Sequence, residues 1–156
     1  MRRAGAILAR RSHSRAELRR KLEKTAPQDL LDEVLQSLET LGLLNDAEYA
    51  YNLALRRLAH DGWGPFRVRG YLLRHGIALP VVLAALDRVQ LEVDAGQALE
   101  NYIRSRARRV GLPSDRNGIR RLFNHLQRRG YRDEDIRAAL GRIVPLGAWR
   151  AFDTGE

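Results

Sequence analysis

No cysteine occurs among the 156 residues, so disulfide bridges and thiolate metal ligands are both excluded. No apolar run approaches the roughly 20 residues that a membrane-spanning helix needs. The stretch after the basic Met1-Arg2-Arg3 is broken by Arg10-Arg11 too soon to serve as a secretory signal. β patterning is missing as well. No segment alternates apolar and polar residues for long, and no Asn-Gly or Asp-Gly dipeptide lies between β-branched runs, Asn117-Gly118 falling inside a helical pattern. These absences leave a cytoplasmic, all-α protein as the expectation. What the chain has in excess is positive charge. Lys and Arg number 28 against 19 Asp and Glu, a net charge of +9, and such an imbalance points to an acidic partner: nucleic acid, an anionic surface or an acidic protein face.

The helical signals centre on residues 44–77. Asn45 is an N-cap with Glu48 three residues on, placed to reach back to the cap's amide. Ala50, Leu53, Ala54 and Leu58 then form one apolar stripe. Gly62-Trp63-Gly64-Pro65 breaks that helix and opens the next, with Gly64 as cap and Pro65 at the first helical position, and Gly76 ends it. Upstream, residues 4–10 read as a short helix, Ser14 and Glu17 as a capping box, and Leu31, Val34, Leu35, Leu38 and Leu41 as a stripe stopped by Gly42. Downstream, helices open at Leu79 or Pro80, at Asp94, after a Ser114 cap and at the acidic turn Asp133-Glu134-Asp135. Pro145 ends the last of them, leaving residues 146–156 as a loosely held tail.

Self-similarity turns this series into a pattern. Asp46-Ala47-x-x-Ala50 recurs as Asp94-Ala95-x-x-Ala98. Val68, Leu72, Gly76, Val82 and Leu86 recur, shifted by 54, as Leu122, Leu126, Gly130, Ile136 and Leu140, and a shift of 50 places Val68 and Leu72 on Leu18 and Leu22. The expected architecture is an elongated, curved array of three tandem three-helix repeats, at 1–43, 44–90 and 93–145, whose first helix is short.

No catalytic constellation stands out. His13, His60, His75 and His125 are scattered without metal-ligand spacing, and Gly62-Trp63-Gly64 lacks the Gly-Lys-Ser/Thr of a phosphate loop. The chain is therefore read as a non-enzyme with no cofactor and no metal. Its basic residues carry more information. Arg121, Asn124, His125 and Arg128 lie at i, i+3, i+4 and i+7, opposite Leu122 and Leu126. Arg67, Tyr71 and Arg74 make the equivalent face one repeat earlier, and Glu17, Lys21 and Lys24 the one before that. One repeat position is thus cationic three times, as Lys24, Arg74 and Arg128. Arg104, Arg106, Arg108 and Arg109 add four positive charges within six residues. A solvated helix face would mix signs more evenly, so these residues are the candidate partner-binding set. Trp63, on its tight turn, either staples two helices or projects toward a partner.

The series Ser14-x-x-Glu17-Leu18-x-x-Lys21-Leu22, Leu44-Asn45-Asp46 with Tyr49-Ala50, and Gly62-x-Gly64-Pro65-x-x-Val68 running to Gly76-Ile77 resembles the RecX family of regulators of the RecA recombinase. So does Arg129-Gly130-Tyr131-x-x-Glu134-x-Ile136-x-x-Ala139-Leu140. The resemblance covers roughly residues 4–144, and rests on the order and spacing of motifs that are singly unspecific. It implies a non-enzymatic protein of tandem three-helix repeats that binds in the groove of the RecA–DNA filament, limits filament growth and damps its ATPase and coprotease activities; the chain itself is expected to be monomeric. Its partners would be the RecA filament and single- and double-stranded DNA, reached directly or through the filament, with no membrane involved. The alternative is a stand-alone DNA-binding protein built on basic helix-turn-helix-like units. Repetition argues against it, since one such unit would suffice to read bases.

Overall fold

The computed structural model describes residues 2–153, and among them it forms ten α-helices and no strand. In chain order these are α1 (Arg2–Leu8), α2 (Arg15–Leu22), α3 (Gln28–Thr40), α4 (Asp46–Ala59), α5 (Pro65–Arg74), α6 (Leu79–Gln90), α7 (Ala95–Val110), α8 (Arg116–Arg128), α9 (Asp133–Ile143) and α10 (Leu146–Asp153). The all-helical expectation is met. Contacts group the chain into two compact units, one holding the residues up to Ala54 with Arg69–Val89, the other Leu55–Val68 with the chain from Gln90 onward.

In the first unit α1 packs on α2, and α2 on α3. Ala4, Leu18, Leu22, Leu31, Leu35, Leu38 and Leu44 form one buried core, each large side chain contributing about 1.5–3 kcal/mol by leaving water. Leu41, expected in this stripe, is 63% exposed instead. The helix ends at Thr40, and the side chain that turns inward is that of Leu44, whose amide bonds to the Leu38 carbonyl at 3.2 Å. The Ser14–Glu17 capping box forms as expected. At α4 only half of the expected cap does. The Glu48 amide donates to Asn45 Oδ1 at 3.0 Å, but the Glu48 carboxylate pairs with Arg88 at 2.9 Å, because a neighbouring guanidinium attracts it more strongly than a neutral amide.

In the second unit α7 packs on α9, and α8 on α9 and α10. The core gathers Leu99, Ile103, Ile119, Leu122, Phe123, Leu126, Tyr131, Ile136, Ala139, Leu140 and Val144. The cap of α8 is Asp115 and not Ser114: its carboxylate accepts the Gly118 amide at 2.6 Å, where a negative charge also meets the helix dipole. The expected loose tail is α10 as far as Asp153, residues 154–156 lying outside the described chain. Pro145 stops α9, yet its carbonyl accepts the Trp149 amide at 3.0 Å and so starts a new helix. Ala148, Trp149 and Phe152 pack on the core, Phe152 lying 5.6 Å from Phe123 between ring centroids.

Each unit contains a joint in which the start of one helix meets the glycine turn ending another. In the first unit Ser14 Oγ donates to the carbonyl of His75 at 2.7 Å, and a Cβ on Gly76 would strike the Cβ of Ala16. In the second the Gly64 amide donates to the carbonyl of Arg129 at 2.7 Å, the Phe66 amide to that of Gly130 at 3.1 Å. A Cβ on Gly64 would collide with the Gly130 carbonyl, and one on Gly130 with the Arg67 amide. Gly76 and Gly130 both hold positive φ, at 79° and 90°, which a side chain would oppose. Ser14 and Gly64 are related by the shift of 50, and His75 and Arg129 by the shift of 54, that relate the apolar stripes.

Candidate partner-binding site

The site is built on α8. Its apolar stripe buries Ile119, Leu122, Phe123 and Leu126, which turns Arg121 and Arg128 to solvent and leaves His125 half-buried between them along the helix. The Tyr102 hydroxyl of α7 lies 2.8 Å from His125 Nε2, and the two rings stack with planes 11° apart. The phenol donates to Nε2 when the imidazole proton sits on Nδ1. Burial lowers the His125 pKa below its ordinary 6.5, and Arg106, Arg129, Arg128 and Arg67 lower it further. Four guanidinium groups from α5, α7 and the end of α8 therefore act on one imidazole. The sequence-predicted residues brought together here are Arg67, Arg106, His125 and Arg128.

Trp63 is a staple. The guanidinium carbons of Arg57 and Arg67 stand over its ring at 4.5 and 4.1 Å from the centroid, so the end of α4 and the start of α5 are held on one indole. Arg57 also pairs with Asp61 at 2.6 Å. Arg129, which sequence reasoning did not single out, fixes the same turn. Its Nε donates to the Gly62 carbonyl at 2.8 Å, its Nη2 donates to the Asp61 carbonyl, and its guanidinium lies 4.8 Å from the Tyr102 ring centroid. The signal for this clamp was present as two glycine turns, Gly62-Trp63-Gly64 and Arg129-Gly130, but their contact is long-range and leaves no local pattern.

The α7 arginines divide. Arg104 is taken up by Glu100 at 3.3 Å, and Glu100 also holds Arg142 at 2.6 Å. These two bonds keep the Glu100 carboxyl below its usual pKa. Among the described residues Arg106, Arg108, Arg109, Arg121 and Arg128 meet no carboxylate. Arg108 and Arg109 line a polar cleft of about 530 Å³ with His60, Asn101, Ser105 and Arg129. The lining also includes the Asp61 carboxylate, which Arg57 holds at 2.6 Å, so three guanidinium groups stand against one carboxylate that is already paired.

In the first unit the candidates are less concentrated. Lys21 donates to His13 Nε2 at 2.8 Å while His13 Nδ1 donates to the Arg11 carbonyl, so the ring is neutral, in keeping with a pKa lowered chiefly by burial. Lys24 and Arg74 are exposed. Tyr71 stacks on His75 with centroids 3.9 Å apart, and His75 Nδ1 donates to the Tyr71 carbonyl at 2.8 Å. His75 Nε2 lies 3.5 Å from the buried Glu17 carboxylate, which ties this pair to the Ser14 joint. Among the described residues no group of three or more His, Cys, Asp or Glu could hold a metal ion, and no helix is long and apolar enough to cross a membrane.

No family model matches the chain. It is similar to regulatory protein RecX of Stenotrophomonas maltophilia (strain R551-3), 36% identical over 138 residues that make up 88% of this chain and 82% of that protein. Regulatory protein RecX of Halorhodospira halophila is 34% identical over 134 residues, 85% of this chain and 81% of that one. Among solved structures, RecX from Lactobacillus salivarius superposes with a TM-score of 0.72 at 24% identity, covering 91% of this chain and 92% of that chain.

Proposed function

The chain belongs to the RecX family of regulatory proteins, and from that premise we propose that it is a non-enzymatic cytoplasmic regulator that binds the RecA–DNA filament as a monomer. It restrains the filament's recombinase, ATPase and coprotease activities. The observation that carries this reading is the set of arginines on α7 and α8, Arg106, Arg108, Arg109, Arg121 and Arg128, that meet no carboxylate among the described residues. Like charges gathered at one place repel, and an acidic protein surface or a row of phosphates relieves that repulsion. We read the chain as three tandem helical units, and the recurrence of the Ser14–His75 joint as Gly64–Arg129 supports that reading. A repeating body is suited to a partner that itself repeats.

The test is a comparison of binding to RecA filaments, bare single- and double-stranded DNA and free RecA at matched salt. Tighter binding to the filament than to any component, with slower ATP hydrolysis, is the expected result. Equal affinity for bare DNA and filament would favour a DNA-binding module instead, and no binding to the filament would overturn the reading.

A further inference from the structure

A cleft of about 400 Å³ lies between the C-terminal turns of α7 and the start of α8. Its lining is mixed, polar and apolar. Ile103 and Leu122 belong to the core, but Val110 and Leu112 are left 66% and 40% exposed, so the cleft keeps two large apolar side chains in water. Its walls carry Arg106 and Arg121, neither of which meets a carboxylate among the described residues. The one carboxylate in the lining, Asp115, is bound to the Gly118 amide as the cap of α8. The cleft therefore combines uncovered apolar surface with two cationic donors, in a volume within the range of ordinary binding pockets.

We propose that this cleft is a docking site for an acidic, amphipathic peptide segment of a protein partner. One or two apolar side chains of that segment settle on Val110 and Leu112, and flanking carboxylates pair with Arg106 and Arg121 in the two-pronged geometry that guanidinium groups favour. Charge complementarity selects the acidic residues, and the exposed Val110 and Leu112 select the apolar ones. A nucleic-acid strand fits less well. Its phosphates would satisfy the arginines, but bases bind through stacking and the lining contains no aromatic ring. The inference rests on the reading of the chain as a regulator that docks on a protein assembly. It narrows that reading, since at this point the contact is with protein carboxylates and apolar side chains.

The experiment uses the full chain and a fluorescein-labelled peptide, Asp-Glu-Leu-Asp-Phe-Glu-Asp, followed by anisotropy at about 0.15 M salt, where loose surface attraction is screened. A control peptide carries glycine for Leu and Phe, and a thymidine dodecamer serves as competitor. The expected result is saturable binding of the first peptide and at least tenfold weaker binding of the control, about 1.4 kcal/mol. Arg106→Glu should weaken the first peptide about as much, and Leu112→Ser several-fold. Both side chains reach solvent, so both variants should fold, which circular dichroism checks. Equal binding of the two peptides, indifference to Arg106→Glu, or displacement of the peptide by the dodecamer at equal concentration would each overturn the proposal. Filament ATPase assays separate the two readings. Inhibition that persists while the peptide fails to bind removes the cleft alone. Peptide binding as expected without any inhibition by the unaltered protein removes the regulator reading and leaves the cleft.

Discussion

The hydroxyl of Ser14 donates to the carbonyl of His75 at 2.7 Å across 61 residues of chain. The bond does more than close a loop, because Ser14 is also the cap of α2 and its oxygen accepts the Glu17 amide at 3.1 Å. One buried hydroxyl thus caps one helix and seats the turn that ends another. Ser14→Ala removes both roles. Loss of a cap costs about 1 kcal/mol, and the orphaned carbonyl adds about 1–3 kcal/mol if water cannot reach it. The melting temperature should therefore fall further for Ser14→Ala than for Asn45→Ala, whose cap is exposed. Equal losses would mean that the contact with His75 contributes nothing.

The corresponding position in the second unit uses no side chain at all. Gly64 donates through its amide, and its α-carbon presses so closely on Gly130 that any Cβ would collide with backbone. Backbone cannot rotate away as a flexible side chain can. Gly64→Ala should cost several times the roughly 0.5–1 kcal/mol by which alanine ordinarily exceeds glycine in stability, and with the opposite sign to that ordinary effect. Thermal unfolding of the variant checks this. A neutral or stabilising outcome would mean that the joint yields.

Much of this was legible in the sequence, for a physical reason. The stripes of α2, α5, α8 and α9 are written at helical spacing, and burial follows it where the helix continues: Leu72 and Leu126, paired by the shift of 54, are both fully buried, whereas Leu41 falls beyond the end of α3. Local capping was legible at Ser14 and Asp94 but displaced by one residue at Ser114, since two good caps stand side by side and the charged one prevails. The last helix was not legible, because Pro145 marks where α9 stops and says nothing of the residues beyond it. Trp149 and Phe152 are nonetheless apolar enough to have signalled packing. At the site, the helix face of Arg121, His125 and Arg128 was readable from i, i+4 and i+7. The contribution of Arg129 was not, because it depends on which turns meet across 67 residues, nor was that of Tyr102, which reaches His125 from another helix.

Tyr131 gives a stability prediction of unusual sign. Its hydroxyl is buried and has no hydrogen-bond partner among the described residues, and burial pushes its pKa up to about 12. An unpaired buried hydroxyl costs about 1–3 kcal/mol. Tyr131→Phe should therefore raise the melting temperature or leave it unchanged. The native phenol holds its proton above the unfolded value of about 10, so the unfolded state loses protons first and stability should fall as pH rises past that value. The Phe variant should fall less steeply between about pH 10 and pH 12. Destabilisation by Tyr131→Phe would reveal a partner for that hydroxyl.

His125 reports on the cluster around it. Its folded pKa lies below the ordinary value, first through burial and then through Arg106, Arg129, Arg128 and Arg67. The neutral ring therefore contributes stability that is present above about pH 6.5 and is lost as pH falls through the lower folded value. Removing one charge with Arg106→Gln or Arg128→Gln should move the imidazole resonances of His125 to a higher titration midpoint by NMR, but only part of the way, since burial remains. Binding of an anionic partner should move the midpoint in the same direction, so affinity should rise as pH falls toward 6. A midpoint unmoved by either substitution would show that the arginines stand too far away to act on this ring.

Charge reversal of the exposed basic residues is the direct test of what they do. Arg74, Arg121 and Arg128 are exposed, and exposed charges contribute under about 1 kcal/mol each to stability, so the triple Glu variant should keep its helicity and melting temperature. Arg67 belongs to the same face in sequence but stands 4.1 Å from the Trp63 ring. Reversing it removes a cation–π contact of about 0.5–1 kcal/mol and belongs in a separate, fourth substitution. Association should suffer far more than folding, because each charge attracts an anionic partner and releases counterions if that partner is phosphate. Inhibition of filament ATPase, measured across a salt series, distinguishes the sources. If inhibition and its salt dependence fall together in the triple variant, these arginines carry the electrostatic contact. If inhibition falls while its salt dependence stays steep, the phosphate contacts lie elsewhere, and the cleft holding Arg108 and Arg109 is the next place to reverse charge. Undiminished inhibition by a folded triple variant would remove these three arginines from the docking contacts.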